Sequence, residues 1–105
     1  MPITRDFKET IQARALRDPE FRAGLFQESI ESMLAGDTET GKMLLRDYIN
    51  ATIGFEELGK VAEKSPKSLM RMLSTSGNPT ANNLFGIIHT LQQREGVHFE
   101  VRTSH

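Results

Sequence analysis

Four cations fall within twelve residues of this chain: Lys60, Lys64, Lys67 and Arg71, with Glu63 the one acid among them. Residues 1–41 have the opposite balance, five basic groups against eight acidic ones. A local basic footprint on an otherwise acidic chain suits a surface that faces a phosphate backbone. Lys67 sharpens the point. It falls in the first turn of a predicted helix, where a cation opposes the macrodipole. Its presence there asks for a reason outside the helix, and phosphate would be one. The plain alternative is a solvated helical face carrying ordinary lysines.

The stretch Phe55 to Ser74, FEELGKVAEKSPKSLMRMLS, must position these side chains. Ser65 is a strong N-cap, because its hydroxyl can accept from an otherwise orphaned backbone N–H. Pro66 follows at the first helical position, where its missing N–H is no loss. Leu69, Met72 and Leu73 recur at helical spacing, and Lys67, Ser68 and Arg71 take the other flank. Before the cap, Leu58, Val61 and Ala62 give the preceding helix its expected buried edge. The stretch reads as a helix-turn-helix, helices 55–64 and 66–73, with the second as the recognition helix.

With 105 residues the chain is expected to be one domain with an extension, and 37% hydrophobic residues suffice for a core. No run of 18 apolar residues occurs, so no membrane span is expected. MPITRDFKET lacks the apolar centre of a signal peptide. Cysteine is absent, which excludes disulfides and thiolate metal sites and fits a cytoplasmic location. The net charge is −1, unlike the global basicity of a histone-like protein.

Taken in order, Ile3 lies in a short extended-looking start. Phe7, Ile11 and Leu16 then predict a short amphipathic helix with a thin apolar face. Asp18–Pro19 is a capped helix start. The set Phe21, Leu25, Phe26, Ile30, Met33 and Leu34 follows at helical period, and Gly36 ends it. This broad face is expected either to pack on the domain or to meet a partner protein. Asp37 opens the next helix, with Leu44, Tyr48 and Ala51 on one side, Leu45, Ile49 and Ile53 adjacent, and a stop near Gly54. TSGNP (75–79) is a turn in which Gly77 permits positive φ. Thr80 caps a helix whose core face is Leu84, Ile87, Ile88 and Leu91, closed by Gly96. In the tail, Val97, Phe99 and Val101 alternate with His98, Glu100 and Arg102, the pattern of a half-buried strand. One strand needs a partner: the 1–6 segment, a second protomer or another protein.

From Asp37 to Val101 the order of elements resembles the lambda-repressor/Cro-like (XRE-type) helix-turn-helix family. The most specific part is SLMRMLSTSGNPTANNLFGIIHTLQ, residues 68–92. It is similar to a subfamily of bacterial addiction-module antidotes (HigA-like antitoxins), which share a Ser-x-x-Ser-Leu-x-x-x-Leu-Ser helix, a Gly-Asn-Pro turn, a Leu-rich helix and a terminal strand. The Asp-Pro helix and the Gly36–Asp37 junction also fit. Where the family's turn places a glycine and an apolar residue, this chain has Glu63 and Lys64. The turn is then either one that ordinary residues make or one strained at Glu63. Gly59 replaces the usual small alanine.

The resemblance implies a mainly all-α fold: a lambda-repressor-like helix-turn-helix bundle over 37–105, an N-terminal helical extension over 1–36 and one C-terminal β-strand. It implies a reader helix in the major groove of double-stranded DNA. Pro66, Lys67, Ser68 and Arg71 would then face base edges or the groove wall, with Arg71 suited to bidentate guanine contact. Lys60, Lys64 and Ser65 would hold phosphates, and Asn78 and Asn82 could do likewise. So short a reader needs a homodimer on a two-fold operator. The subfamily further implies an autorepressor of a toxin–antitoxin operon with a RelE-like toxin as partner. The acidic groups of 18–39 would suit such a basic ribonuclease.

Nothing in the chain points to catalysis. His89, His98 and His105 are scattered, and no HExxH, Gly-rich phosphate loop or nucleophile elbow occurs. No cofactor is expected. Three functions remain open: a sequence-specific DNA-binding transcriptional regulator, its antitoxin form, and a helix-turn-helix that no longer reads DNA and serves as a protein-interaction module.

Overall fold

Short polar side chains that compete for backbone N–H groups set where the helices begin. Asp18 Oδ1 accepts from Phe21 N–H (3.1 Å), Asp37 Oδ1 from Thr40 N–H (3.1 Å) and Thr80 Oγ1 from Asn83 N–H (3.2 Å). Each satisfies a donor that the first helical turn leaves without a partner. The computed structural model describes residues 13–105. Among them lie α1 (described over 13–17), α2 (Pro19–Leu34), α3 (Thr38–Ala51), α4 (Gly54–Ala62), α5 (Pro66–Met72) and α6 (Ala81–Glu95). The expectations for Ile3, Phe7 and Ile11, and for 1–6 as a strand partner, lie outside the described residues.

Helices α2 and α3 make the most extensive pairing. Gly41 lets them approach: a Cβ there would stand 3.0 Å from the Ser29 carbonyl oxygen and against the Met33 side chain. Phe26 and Tyr48 stack across this pair with centroids 4.6 Å apart. They join Leu45, Ile49, Phe55, Leu58, Leu69, Leu73, Ile87, Ile88 and Leu91 in one core to which α2 through α6 all contribute. Fully burying residues of this size contributes on the order of 1.5–3 kcal/mol each.

A polar network crosses the same core. The Arg22 Nε–H donates to both oxygens of Glu95 (3.1 and 3.0 Å), and the Tyr48 hydroxyl donates to the same carboxylate. Arg22 Nη1 also reaches the Ala15 carbonyl (2.8 Å), tying α1 to α2 and α6. Burial pushes the Tyr48 phenol well above its ordinary pKa, and the neighbouring Glu95 carboxylate pushes it further. No buried side-chain nitrogen or oxygen among the described residues lacks a hydrogen-bond partner.

Several expectations need correcting. Leu16, expected on the apolar face of the first helix, is 68% exposed, and Ala15 is the buried residue instead. Leu34, at the end of α2, is 69% exposed. The tail over 97–105 belongs to no strand. A strand requires a ladder, and among the described residues none lies beside it; the Phe99 N–H donates to the Gln92 side chain instead (2.9 Å). The alternation itself survives in part. Val97 and Phe99 pack on the core and His98 and Glu100 face out, with Phe99 set edge-on to Phe26 at 4.8 Å. Val101 breaks it, at 84% exposed.

Candidate nucleic-acid interface

The corner between α4 and α5 begins with how α4 ends. Its last turn closes when the Lys64 N–H donates to the Gly59 carbonyl (3.0 Å), the six-to-one bond of a Schellman cap. That bond needs a left-handed residue between, and Glu63 supplies it at φ 56°, ψ 43°. Glu63 is the single non-glycine residue with positive φ among the described residues. Of the two turns open to the sequence, the strained one is therefore built, at roughly 1–2 kcal/mol. The chain then folds back across α4 so closely that a Cβ on Gly59 would lie 2.6 Å from the Lys64 carbonyl oxygen and 3.4 Å from Pro66 Cδ. Gly59 is what lets the two helices meet at this distance.

Ser65 then caps α5, its Oγ accepting from the Ser68 N–H (3.1 Å), with Pro66 at the first helical position. Leu58, Leu69 and Leu73 are fully buried and Met72 packs against the core, as their spacing predicts. Val61 is not part of the buried edge; it is 51% exposed, and Phe55 and Gly59 take its place beside Leu58. Met70, 48% exposed, shares the outer flank with Lys67 and Arg71.

The far end of α5 is held by two cations from α3. Lys42 is buried, and its Nζ donates to the carbonyls of Ser74 (2.9 Å) and Gly77 (2.8 Å) while pairing with Glu39 (2.9 Å). Arg46 Nη1 donates to the Leu73 carbonyl (2.9 Å). Cations at a helix C-terminus satisfy its free carbonyls and complement its dipole. Gly77 fits beneath, where a Cβ would collide with the Arg71 and Met72 carbonyls. Its φ is not positive. The turn thus needs glycine for space rather than for the left-handed conformation expected of it. Neither Lys42 nor Arg46 stood out in the sequence as a site residue. The signal was present: Lys42 shares a helical stripe with Leu45 and Ile49, a cation on an apolar face.

Of the cationic candidates, Lys64 lies within the Glu63–Ser65 turn, and Lys60, Lys67 and Arg71 lie on the helices that flank it. Lys60, Lys67 and Arg71 are exposed, and Lys64 is half-buried, as are Pro66 and Ser68. Lys60 Nζ reaches Glu57 at 3.4 Å, an exposed pair of little energetic weight. Among the described residues Lys64, Lys67 and Arg71 form no ion pair. Asn78 and Asn82 are exposed but sit elsewhere. Asn78 lies by Thr38, Glu39 and Lys42 at the start of α3, and Asn82 is in the first turn of α6. No three metal-ligating side chains gather among the described residues. No helix there is long and apolar enough to cross a membrane.

Comparison with protein-family models, with curated proteins and with solved structures finds no match to this chain.

Proposed function

We propose that this protein is a sequence-specific DNA-binding transcriptional regulator built on a lambda-repressor-like helix-turn-helix. In this reading it acts in the cytoplasm as a homodimer on a two-fold operator, and is the antitoxin-type autorepressor of a toxin–antitoxin operon. The observation that carries the proposal is the α4–α5 corner. Two short helices meet through a three-residue turn, the second presents Lys67 and Arg71 to solvent, and its opposite flank is anchored by Leu69 and Leu73. A helix held that firmly, with its cations outward, is suited to enter a major groove.

On this reading α5 is the reader. Arg71 takes a guanine edge, and Lys67 a base edge or phosphate. Ser68 and Pro66 lie against the groove wall, and Lys60, Lys64 and Ser65 hold the backbone. Asn78 and Asn82 have less support, because neither belongs to the α4–α5 corner: Asn78 lies by the start of α3 and Asn82 in the first turn of α6.

A mobility-shift titration on the DNA upstream of the protein's own gene, at two salt concentrations, tests the reading. Arg71→Ala is expected to lose about 1–3 kcal/mol and relax preference at one base pair. Lys67→Ala is expected to weaken binding to every duplex and flatten the salt dependence by one released counterion. If both variants bind as the parent does, or the parent does not bind, the reader assignment is wrong. Co-expression with the neighbouring open reading frame, followed by purification of one partner, tests the RelE-like toxin. A second reading, a protein-interaction module without DNA binding, draws on the acidic excess of α2, where Glu20, Glu28 and Glu31 stand against Arg22 alone.

A further inference from the structure

Gly24 sits in the interior of α2, and the fold does not ask for glycine there. A Cβ at Gly24 would meet no atom within 4 Å. Its backbone is not at positive φ. Glycine inside a helix costs roughly 1 kcal/mol relative to alanine, so α2 is weakened with no internal contact in return. Gly24 lies in an open cleft between α2 and α3, of about 500 Å³, lined by Phe21, Leu25, Glu28, Met43, Leu44 and Asp47. The walls are apolar, and Met43 is 44% exposed.

Charge says what this cleft would accept. Glu28 and Asp47 line it, and neither forms an ion pair among the described residues. The Arg14 guanidinium, 4.6 Å from the centroid of the Phe21 ring, is paired with Asp18 at 3.6 Å, so the charges left for a visitor are those of Glu28 and Asp47. A second copy docked through the same patch would bring its Glu28 and Asp47 up to Glu28 and Asp47 of the first across a two-fold axis. That repulsion disfavours self-association here and favours a basic partner.

We propose that the α2–α3 cleft binds a basic amphipathic helix of another protein. One apolar side chain of that helix lies over Gly24, between Phe21 and Leu25 on one wall and Met43 and Leu44 on the other. Its lysines or arginines meet Glu28 and Asp47. From Phe21 to Glu28 the wall runs roughly 10 Å, about two helical turns, which matches anchors spaced i, i+3 or i+4, i+7. Glycine in the floor lets the visiting helix approach the α2 backbone. The proposal stands apart from DNA binding, which uses the α4–α5 corner, and gives the protein-partner reading a place and a chemistry.

The full chain is titrated with a labelled helical peptide of leucine and lysine at amphipathic spacing, and with its leucine–glutamate counterpart, by fluorescence anisotropy. The lysine peptide is expected to bind and the glutamate peptide not. Gly24→Leu places a side chain in the floor, where an added Cβ meets no atom within 4 Å, and improves helix propensity. It is expected to weaken the lysine peptide about tenfold or more while circular dichroism shows the fold intact. Should Gly24→Leu disturb the fold, the surface pair Glu28→Lys with Asp47→Lys decides, and is expected to abolish binding. Equal binding by the parent and these variants, equal binding of both peptides, or no binding to the parent overturns the proposal. Self-association of the parent that Gly24→Leu abolishes also overturns it, in favour of a second copy as occupant. Each result is read without DNA, so a failed mobility shift and a failed titration remain distinct.

Discussion

Gly59 in α4 and Gly24 in α2 occupy similar places, mid-way along a helix, yet a methyl group would meet different surroundings at each. At Gly59 it would press on the Lys64 carbonyl; at Gly24 it would point into open space. The first glycine is required by the fold, because the chain turns back across it. The second is a gap on the surface. The same contrast recurs at helix ends. Helices α2 and α6 close through Gly36 and Gly96, at φ 90° and 74°, where glycine adopts the left-handed conformation freely. Helix α4 closes the same way through Glu63. The corner therefore has glycine where two backbones touch and lacks it where one backbone is strained. Its shape is held from elsewhere, by the Leu69–Leu73 anchor and by Lys42 and Arg46 on the far end of α5.

Three substitutions test this contrast. The largest effect is expected for Lys42→Met, which keeps the buried stem and removes the charge. The Ser74 and Gly77 carbonyls then lose their donor, and urea unfolding is expected to register a loss of about 3 kcal/mol. A loss below 1 kcal/mol would mean that the cation does not hold the loop. Gly59→Ala follows, with a net destabilisation of about 1–2 kcal/mol once the gain in helix propensity is offset against the close approach to Lys64. A stabilised Gly59→Ala variant would place the two glycines in one class. The smallest change is Glu63→Gly, expected to stabilise by about 1 kcal/mol by relieving the left-handed conformation. Thermal unfolding measures it, and a lower midpoint would show that Glu63 is not strained.

The helix starts were legible because capping is local. Asp18, Asp37, Ser65 and Thr80 each find an N–H three residues on, and no distant contact has to be known. The core side of α5 was legible for the same reason, Leu69 and Leu73 being one turn apart. Val61 was not. Helical spacing shows which residues share a face, but not where the neighbouring helix stops covering it. The Lys42 clamp joins residues 32 and 35 apart in sequence, so its partners are invisible to any local pattern. Glu63 lay between. The resemblance set Glu63 where a glycine is usual, and only the backbone shows that the left-handed conformation is adopted there. The tail was half legible: Val97 and Phe99 face inward as the alternation predicts, but the ladder that makes a strand needs a neighbour that a one-chain pattern does not supply.

Lys42 has one further consequence, for chemical reactivity. An amine acylating reagent reaches an unprotonated Nζ only where solvent reaches it. Lys60 and Lys67 stand in solvent, whereas the Lys42 side chain is 8% exposed and its nitrogen is engaged by two carbonyls and a carboxylate. Modification of Lys42 therefore requires the 74–77 segment to lift away from α3. Its acylation rate, set against that of Lys67 in the same sample, reports how often the back of the α5 corner opens.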